Sequence, residues 1–451
     1  MEKHYEVVIV GGGIIGTSIL YTLSNFSSVK SMLLLEKRGF VGEGTSKSSS
    51  NSQTLHVGDI ETNYTMEKVI ATKAASELIL KYVKTLGKAE AKSMISPVSK
   101  MVLGVGESEI EAIEKRCDRK FLEVFPHIHL LRKSQIGVVE PFIIKGREHS
   151  EKILAAHSRE GNMVNFELLS RSFVSHLPKG KNAKISFNDE VISIEESRGI
   201  YRLTTTKGIY TADFVLFAAG GYSLYFAKSL GYGNDLSLLS VGGNFYYSKR
   251  VLNGKVYRVQ KGHIPFAAVH GDPDLDYPRR TRFGPTVNIL PYMEKGAPSS
   301  AYKYFKAVGV DERTIESLLK ITADKDLLEI VAKNLLYAIP DIGTYLFLKE
   351  EVNKIVPSLR YDDLHFFKEG GGVRPQIIDK KKMSLVLGVV DIKGEGIEFN
   401  MAPSPGASAC LKEALSSSLY ITKSLGERFH KEAYSKIFCS DESEWKLLTQ
   451  G

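Results

Sequence analysis

The chain has 451 residues, with 60 Lys+Arg against 52 Asp+Glu, a formal excess of +8. Apolar residues make up 43% and charged residues 25%, ordinary globular usage that excludes a disordered tail, a collagen-like fibre and a disulfide scaffold. Three cysteines, Cys117, Cys410 and Cys439, are scattered with no metal-ligand spacing, so no metal site is expected and a reducing cytoplasm is. No stretch reaches the ~18 consecutive apolar residues of a membrane span. Glu6 and three glycines interrupt the N-terminal apolar run, which reads as a strand entering a turn rather than a signal peptide.

Residues 5–10, YEVVIV, have the β-branched and aromatic character of a buried parallel strand. Gly11-x-Gly13-x-x-Gly16 then opens a helix, and a second strand, SMLLLE, ends at Glu36, 20 residues after Gly16. In such a unit Gly11 permits the tight turn and Gly13 lets backbone approach a pyrophosphate. Gly16 lets the helix pack on the strand, and free helix N–H groups face the anion. Glu36 would accept from the ribose 2′-OH. The fingerprint does not separate FAD from NAD.

The polar loop 42–59 follows that second strand, where the chain of a dinucleotide fold passes under the cofactor. Thr65 and Glu67 start a helix to about residue 86, 100–106 reads as a strand, and 107–117 and 164–177 as helices. Residues 184–221 form short strands closing on Ala218-Ala219-Gly220-Gly221, a second site of backbone approach. Strong alternation over 238–290 predicts an antiparallel sheet, and 301–357 is helical. The Pro/Gly loop 402–408 enters a C-terminal helix, either as N–H groups aimed at a flavin or as a plain cap at Ser404 or Ser408.

No repeat and no clean linker interrupts this order. The expected fold is α/β: a dinucleotide-binding Rossmann-like domain, FAD-binding by the resemblance given next, interleaved with an antiparallel-sheet substrate domain. The first is expected to comprise 1–95, 150–235 and 355–451, the second 96–149 and 236–354.

VVIVGGGIIG, NSQTLHVGDIETNYT (51–65), FAAVHGDP (266–273), TRFGPT (281–286), GGVRPQIID (371–379) and APSPGASACL (402–411) together resemble the malate:quinone oxidoreductase family. The likeness covers essentially the whole chain and is closest to the shorter, epsilonproteobacterial-type members. More widely, the chain resembles the group holding D-amino-acid oxidase and L-2-hydroxyglutarate dehydrogenase. It departs from longer family members in the 42–56 loop and in much of 290–360. The resemblance implies an enzyme with non-covalent FAD that oxidises (S)-malate to oxaloacetate and passes electrons to a membrane quinone. It also implies a peripheral position on the inner face of the cytoplasmic membrane.

Oxidising a 2-hydroxy acid needs a base for the hydroxyl proton and cations for the carboxylates. Within the matching segments, His270 beside Asp272 reads as a general base or as a turn histidine. His56 reads as a base, a substrate or flavin hydrogen-bonding group, a structural loop residue, or a point of covalent flavin attachment. Arg374 is the foremost carboxylate clamp, Arg282 the second. For the cofactor, the resemblance points to Gly11, Gly13, Gly16, Glu36, Asn51, Gln53, Thr54, Val191, Gly220, Gly406 and Ala407. Lys37 either contacts the adenosine or is solvated, and Gln53 and Tyr246 are further candidates to line the pocket.

Short basic clusters (Lys179-Lys181-Lys184, Lys249-Arg250, Arg279-Arg280, Lys380-Lys381-Lys382) read either as solvated faces or as attraction to an anionic membrane surface. No nucleic-acid fold signature accompanies them. Residues 424–438 read as an amphipathic helix that either contacts the membrane or packs on the domain. The rival functions are an FAD L-2-hydroxyglutarate or other 2-hydroxy-acid dehydrogenase, an amine or amino-acid oxidase, and a non-catalytic flavoprotein or basic nucleic-acid binder.

Overall fold

Along Lys3–Val10, Val7 and Ile9 point to one face of a sheet and Val8 and Val10 to the other, and each face meets its own apolar cluster. This two-sided burial follows from parallel pairing on both flanks, with Ser31–Leu35 and with Ile209–Phe217. The computed structural model describes residues 2–260, 268–386, 388–402 and 406–449. Asn182–Ser186 and Ile397–Met401 extend the parallel sheet on either side, and Val390–Gly394 closes one edge antiparallel. Helices Ile14–Phe26, Phe166–Ser175 and Cys410–Leu425 pack on one face. Helix Gly221–Ser229 and the hairpin Val191–Ser197/Ile200–Thr205 cover the other.

A second eight-stranded sheet runs in the order His365–Phe367, Phe245–Lys249, Arg280–Gly284, His270–Pro273, Lys255–Arg258, Ile95–Val105, Ile153–Val164, His129–Arg132. It is antiparallel as expected, except that Lys255–Arg258 pairs parallel with Ile95–Val105. One expected boundary shifts. Ile153–Val164 lies beyond residue 150, yet its apolar face pairs with Ile95–Val105, so it belongs to this sheet and not to the nucleotide-binding one. A smaller sheet joins Leu236–Gly242 to Val373–Asp379, with Asn288–Ile289 and Ser384–Leu385 at its edges.

The helices fall close to their expected places: Met66–Lys84 with Thr65 as N-cap, Glu107–Arg116, Phe166–Ser175, and a helical run beginning at Ala301. The C-terminal stretch resolves into helix Lys431–Phe438, whose Tyr434 and Phe438 are buried against Phe26. That helix is packed on the domain, and its apolar face is unavailable to a membrane. Residues 261–267, Leu387 and Pro403–Pro405 lie outside the described residues, and with them part of the FAAVHGDP segment and the turn of APSPGAS.

Candidate active site

The glycine turn is shaped for a ligand at one position and for packing at another. A Cβ on Gly16 would stand 1.9 Å from the Gly11 carbonyl oxygen, so helix and strand meet only through glycine there. A Cβ on Gly13 would meet only Ser46 Oγ, at 3.4 Å. Protein packing leaves Gly13 free to be larger, and what requires a glycine there is space for an approaching group. The helix that follows has no side-chain cap from its N-cap residue and no acid in its first turn, and the Ile14 N–H donates to Ser46 Oγ at 2.9 Å. Glu36 accepts from the Gly12 and Arg38 N–H groups at 2.7 and 2.8 Å, holding its carboxylate at the strand end.

Gly220, with φ 59° and ψ −130°, turns the chain out of strand Ile209–Phe217 into the next helix, a conformation that excludes a side chain. Val191 begins a strand beside the sheet, and Gly406 and Ala407 open the turn before helix Cys410–Leu425. These positions fit the adenosine, pyrophosphate and flavin portions of FAD. Lys37 pairs with Glu294, which also holds Arg38 and the Tyr222 hydroxyl. A cavity of about 330 Å³ lined by Lys37, Arg38, Tyr222 and Glu294 lies there.

The loop at 48–56 ties the remaining segments together through its main chain. The Ser49 carbonyl accepts from the Gly371 N–H at 2.8 Å, the Asn51 carbonyl from Arg282 Nη1 at 3.3 Å and the Ser52 carbonyl from Lys255 Nζ at 2.8 Å. Thr54 Oγ1 is 2.6 Å from the Tyr257 hydroxyl, and the His56 N–H donates to Ser408 Oγ at 2.9 Å. Asn51 and Gln53 serve this scaffold with their side chains. Asn51 Nδ2 donates to the Lys47 carbonyl, and Gln53 Nε2 donates to Ser48 Oγ while its Oε1 accepts from the Leu275 N–H.

Three strands of the second sheet, with Asp274 just past the end of one, carry a buried ionic cluster. Lys255 Nζ lies 3.1 Å from Asp272 Oδ1, His270 Nε2 3.2 Å from Asp272 Oδ2, and Arg282 3.9 Å from Asp272 and 3.7 Å from Asp274. The side chains of Lys255, Asp272 and Arg282 are wholly buried. Burial opposes ionisation of Asp272, but His270, Lys255 and Arg282 outweigh it and hold the carboxyl well below its ordinary range. Burial pushes the Lys255 ammonium down to about 8, with Asp272 pulling it back. His270 is enclosed: its Nδ1 donates to the Ala268 carbonyl, its Nε2 faces Asp272, and its ring stacks on Tyr257 at 4.7 Å.

His56 is differently placed. Its Nδ1 lies 2.5 Å from Glu61 Oε1, and among the described residues its Nε2 has no partner. Burial raises the Glu61 carboxyl, but the His56 contact and Lys100 prevail and lower it. Lys100 itself is held 2.7 Å from Asp59. Arg374 is the cross-strand partner of Val241 and has no hydrogen-bond or ion-pair partner among the described residues. Burial alone acts on its guanidinium. It is a desolvated cation with an open valence, whereas the charge of Arg282 is matched within the protein.

Lys255, Tyr257 and Asp274 escaped the reading of the sequence, and Glu61 entered it only as part of the matching segment 51–65, with no role. A signal exists for two of them. Lys255 and Tyr257 stand two apart on one strand, and so on one face, as do His270 and Asp272. Polar residues at that period on a face that the alternation marks as inward are a buried network.

The architecture recurs in FAD-dependent oxidases. The L-α-glycerophosphate oxidase of Mycoplasma pneumoniae, solved with FAD bound, superposes with a TM-score of 0.63 at 18% identity, over 93% of this chain and 95% of that one. Glycine oxidase of Geobacillus kaustophilus gives 0.63 at 15% identity with the same coverage. Residues 3–439 match the model of the malate:quinone oxidoreductase family. The chain is 37% identical to a probable malate:quinone oxidoreductase of Campylobacter jejuni over 96% of this chain and 99% of that protein. It is also 37% identical to the malate:quinone oxidoreductase of Helicobacter pylori, over 98% and 100%. The chain belongs to the malate:quinone oxidoreductase family: FAD-dependent enzymes that oxidise malate with a quinone as electron acceptor.

Proposed function

We propose that the chain oxidises (S)-malate with His56 as general base and Arg374 as the principal carboxylate clamp. The observation that carries this reading is the His56–Glu61 pair, which directs one imidazole nitrogen at a carboxylate and leaves the other open. Glu61, kept ionised, fixes the tautomer with the proton on Nδ1, so Nε2 is free to accept the proton of the C2 hydroxyl. Arg374 offers a planar fork to one carboxylate, and the glycine pair Gly371-Gly372 before it lets the chain pack closely on the Gly243 and Ser50 carbonyls. FAD, when bound, supplies the two-electron acceptor for the hydride on C2.

His270, Asp272, Lys255, Arg282 and Asp274 then act from behind. Their cluster grips the carbonyls of Asn51 and Ser52, so the loop ending in His56 is held by buried charge. In this reading Arg282 and His270 are positioning residues and not reacting groups. Glu36, Gly13 and Gly220 bind the cofactor, with Gly406 and Ala407 beside the flavin and Val191 beside the adenine. The cofactor-binding part comprises 1–94, most of 165–235 and the chain from 368 onward, and the second sheet, which takes His365–Phe367 out of the expected 355–451, is the substrate side. The enzyme works at the inner face of the cytoplasmic membrane, where its acceptor dissolves, and the excess of +8 favours approach to anionic lipid.

The test is anaerobic mixing of the purified yellow holoenzyme with malate, 2-hydroxyglutarate and a panel of amino acids while the visible flavin band is followed. Bleaching by malate is the expected result. Bleaching only by 2-hydroxyglutarate or an amino acid overturns the substrate assignment.

A further inference from the structure

Of the 23 large apolar side chains exposed among the described residues, eleven fall between Tyr302 and Tyr345, about a tenth of the chain. They belong to four consecutive helices, Ala301–Val308, Glu312–Thr322, Lys325–Tyr337 and Ile342–Phe347, and the turns between them. Two of these helices turn large apolar side chains to both sides. Glu312–Thr322 buries Thr314, Ser317 and Ile321 and turns Ile315 and Leu319 outward; Lys325–Tyr337 buries Leu327, Asn334 and Tyr337 and turns Leu328, Leu335 and Leu336 outward. An ordinary surface helix keeps its large apolar residues on the inner face. Exposed leucines at this density mark a surface made for an apolar environment.

We propose that this helical face is the membrane-docking surface, lying in the plane of the bilayer interface. The occupant is argued from three observations. The acceptor of the family is a quinone, which resides in lipid, so the proposal rests on the quinone reading given above. Residues 302–345 carry six Lys/Arg against seven Asp/Glu, so the patch lacks the positive charge of the whole chain and grips by its apolar side chains. Tyr302, Phe305 and Tyr345 are exposed on it, the residue types that favour the lipid–water boundary.

Its place in the fold suits electron delivery. These helices cover the small sheet through Ile321 and Leu327 packed on Val241 and Ile378. Val241 and Arg374 are cross-strand partners, so Arg374 leaves the sheet on the same face. Phe347 stacks on Tyr246 at 4.7 Å, which carries the helical layer across to the second sheet. The layer thus stands between the candidate active site and the surface that it would sink into lipid. No helix among the described residues is long and apolar enough to cross a membrane, so the contact is with one leaflet. Meanwhile Lys380, Lys381 and Lys382, a basic cluster, are paired with Asp311, Asp235 and Asp379.

The experiment is flotation of the holoenzyme with phosphatidylcholine vesicles, with and without added anionic lipid, at low and high salt. Wild type is expected to float with the zwitterionic vesicles and to stay bound at high salt. Leu335→Glu combined with Ile342→Glu, both at exposed positions, should lower that binding at least ten-fold. The variant should slow reduction of a long-chain quinone in vesicles to the same degree, while malate bleaches its flavin at the wild-type rate. Unchanged flotation of the variant overturns the proposal. So does binding that needs anionic lipid and is released by salt, or a wild-type dimer that the variant converts to monomer without change in flotation. Failure of malate to bleach the wild-type flavin would instead count against the substrate reading, and the flotation result would still stand.

Discussion

His56 and Glu61, five residues apart, form a carboxylate–imidazole pair at 2.5 Å at the end of a loop whose carbonyls are held by Lys255, Arg282 and Gly371. The pair sets a proton acceptor, and the loop sets where it points. Substituting His56 by Asn should slow malate-dependent flavin reduction by about 10²- to 10⁴-fold, the usual worth of a positioned base. Glu61→Gln should lower kcat with little change in KM, because it alters the tautomer and not the binding. His270→Asn should cost less than ten-fold. Rapid-mixing spectroscopy reads all three, and wild-type rates in the His56 variant would place the base elsewhere.

Arg374 carries a partly buried charge with no hydrogen-bond or ion-pair partner among the described residues. Removing it should leave the protein folded and weaken the hold on a substrate carboxylate. Arg374→Ala is expected to lower kcat/KM for malate by about 2–5 kcal/mol, roughly 30-fold or more. Lys in its place should recover only part, since it lacks the planar fork. Steady-state kinetics with an artificial acceptor decides, and an unchanged kcat/KM removes Arg374 from the site.

Asp272 is the opposite case, a carboxylate enclosed by Lys255, Arg282 and the His270 imidazole. Asp272→Asn leaves Lys255 and Arg282 buried with one carboxylate, Asp274, near the arginine. A loss of about 3–5 kcal/mol in unfolding free energy is expected. Denaturant titration of the holoenzyme measures it, and a loss under 1 kcal/mol would show that the cluster tolerates the imbalance.

The glycine turn makes a paired prediction. Gly16→Ala drives a methyl into the Gly11 carbonyl and should destabilise the protein by about 1–3 kcal/mol. Gly13→Ala meets only Ser46 Oγ, so the protein should keep its fold and lose FAD affinity at least ten-fold. Fluorescence titration of the apoprotein with FAD, beside a thermal melt, separates the two. Equal melting losses with unchanged FAD binding would contradict the assignment.

Two buried acids lie close together, Glu398 on strand Ile397–Met401 and Glu413 on helix Cys410–Leu425. Burial raises Glu398 and Glu413 from 4.5 to about 7, with Asp391 adding to both. The folded state therefore binds protons that the unfolded state has released between about pH 4.5 and 7. Stability falls as pH rises through that window, by about 1–3 kcal/mol per group. Replacing both by Gln should flatten the profile and raise stability at pH 8. Denaturation at pH 5 and pH 8 tests this, and an unchanged slope in the double variant would sink it.

The nucleotide-binding half was legible early, because its parts are local. Strand, Gly11-x-Gly13-x-x-Gly16, helix and Glu36 fall within 36 residues, and each position has a steric or hydrogen-bonding duty that a spacing can encode. Arg374 and His56 were found as residue types in glycine-rich segments, but their roles were not separable from those of Arg282 and His270. All four are a histidine or an arginine near a turn. What divides them is whether the charge is matched, and the matching groups come from distant strands: Asp272 and Asp274 for Arg282, Ala268 and Asp272 for His270.

The same division runs through the whole molecule. The amino-acid order alone determined the fold class, the cofactor cradle and the family segments, since these depend on periodicity and short spacings. Only the tertiary structure decided that Lys37 pairs with Glu294, that 431–438 is packed inside, and that the leucines of 302–345 face outward. Periodicity says that a helix has an apolar face. Which way that face turns depends on what other segments of the chain leave to be covered, and that is settled only when the sheets have formed.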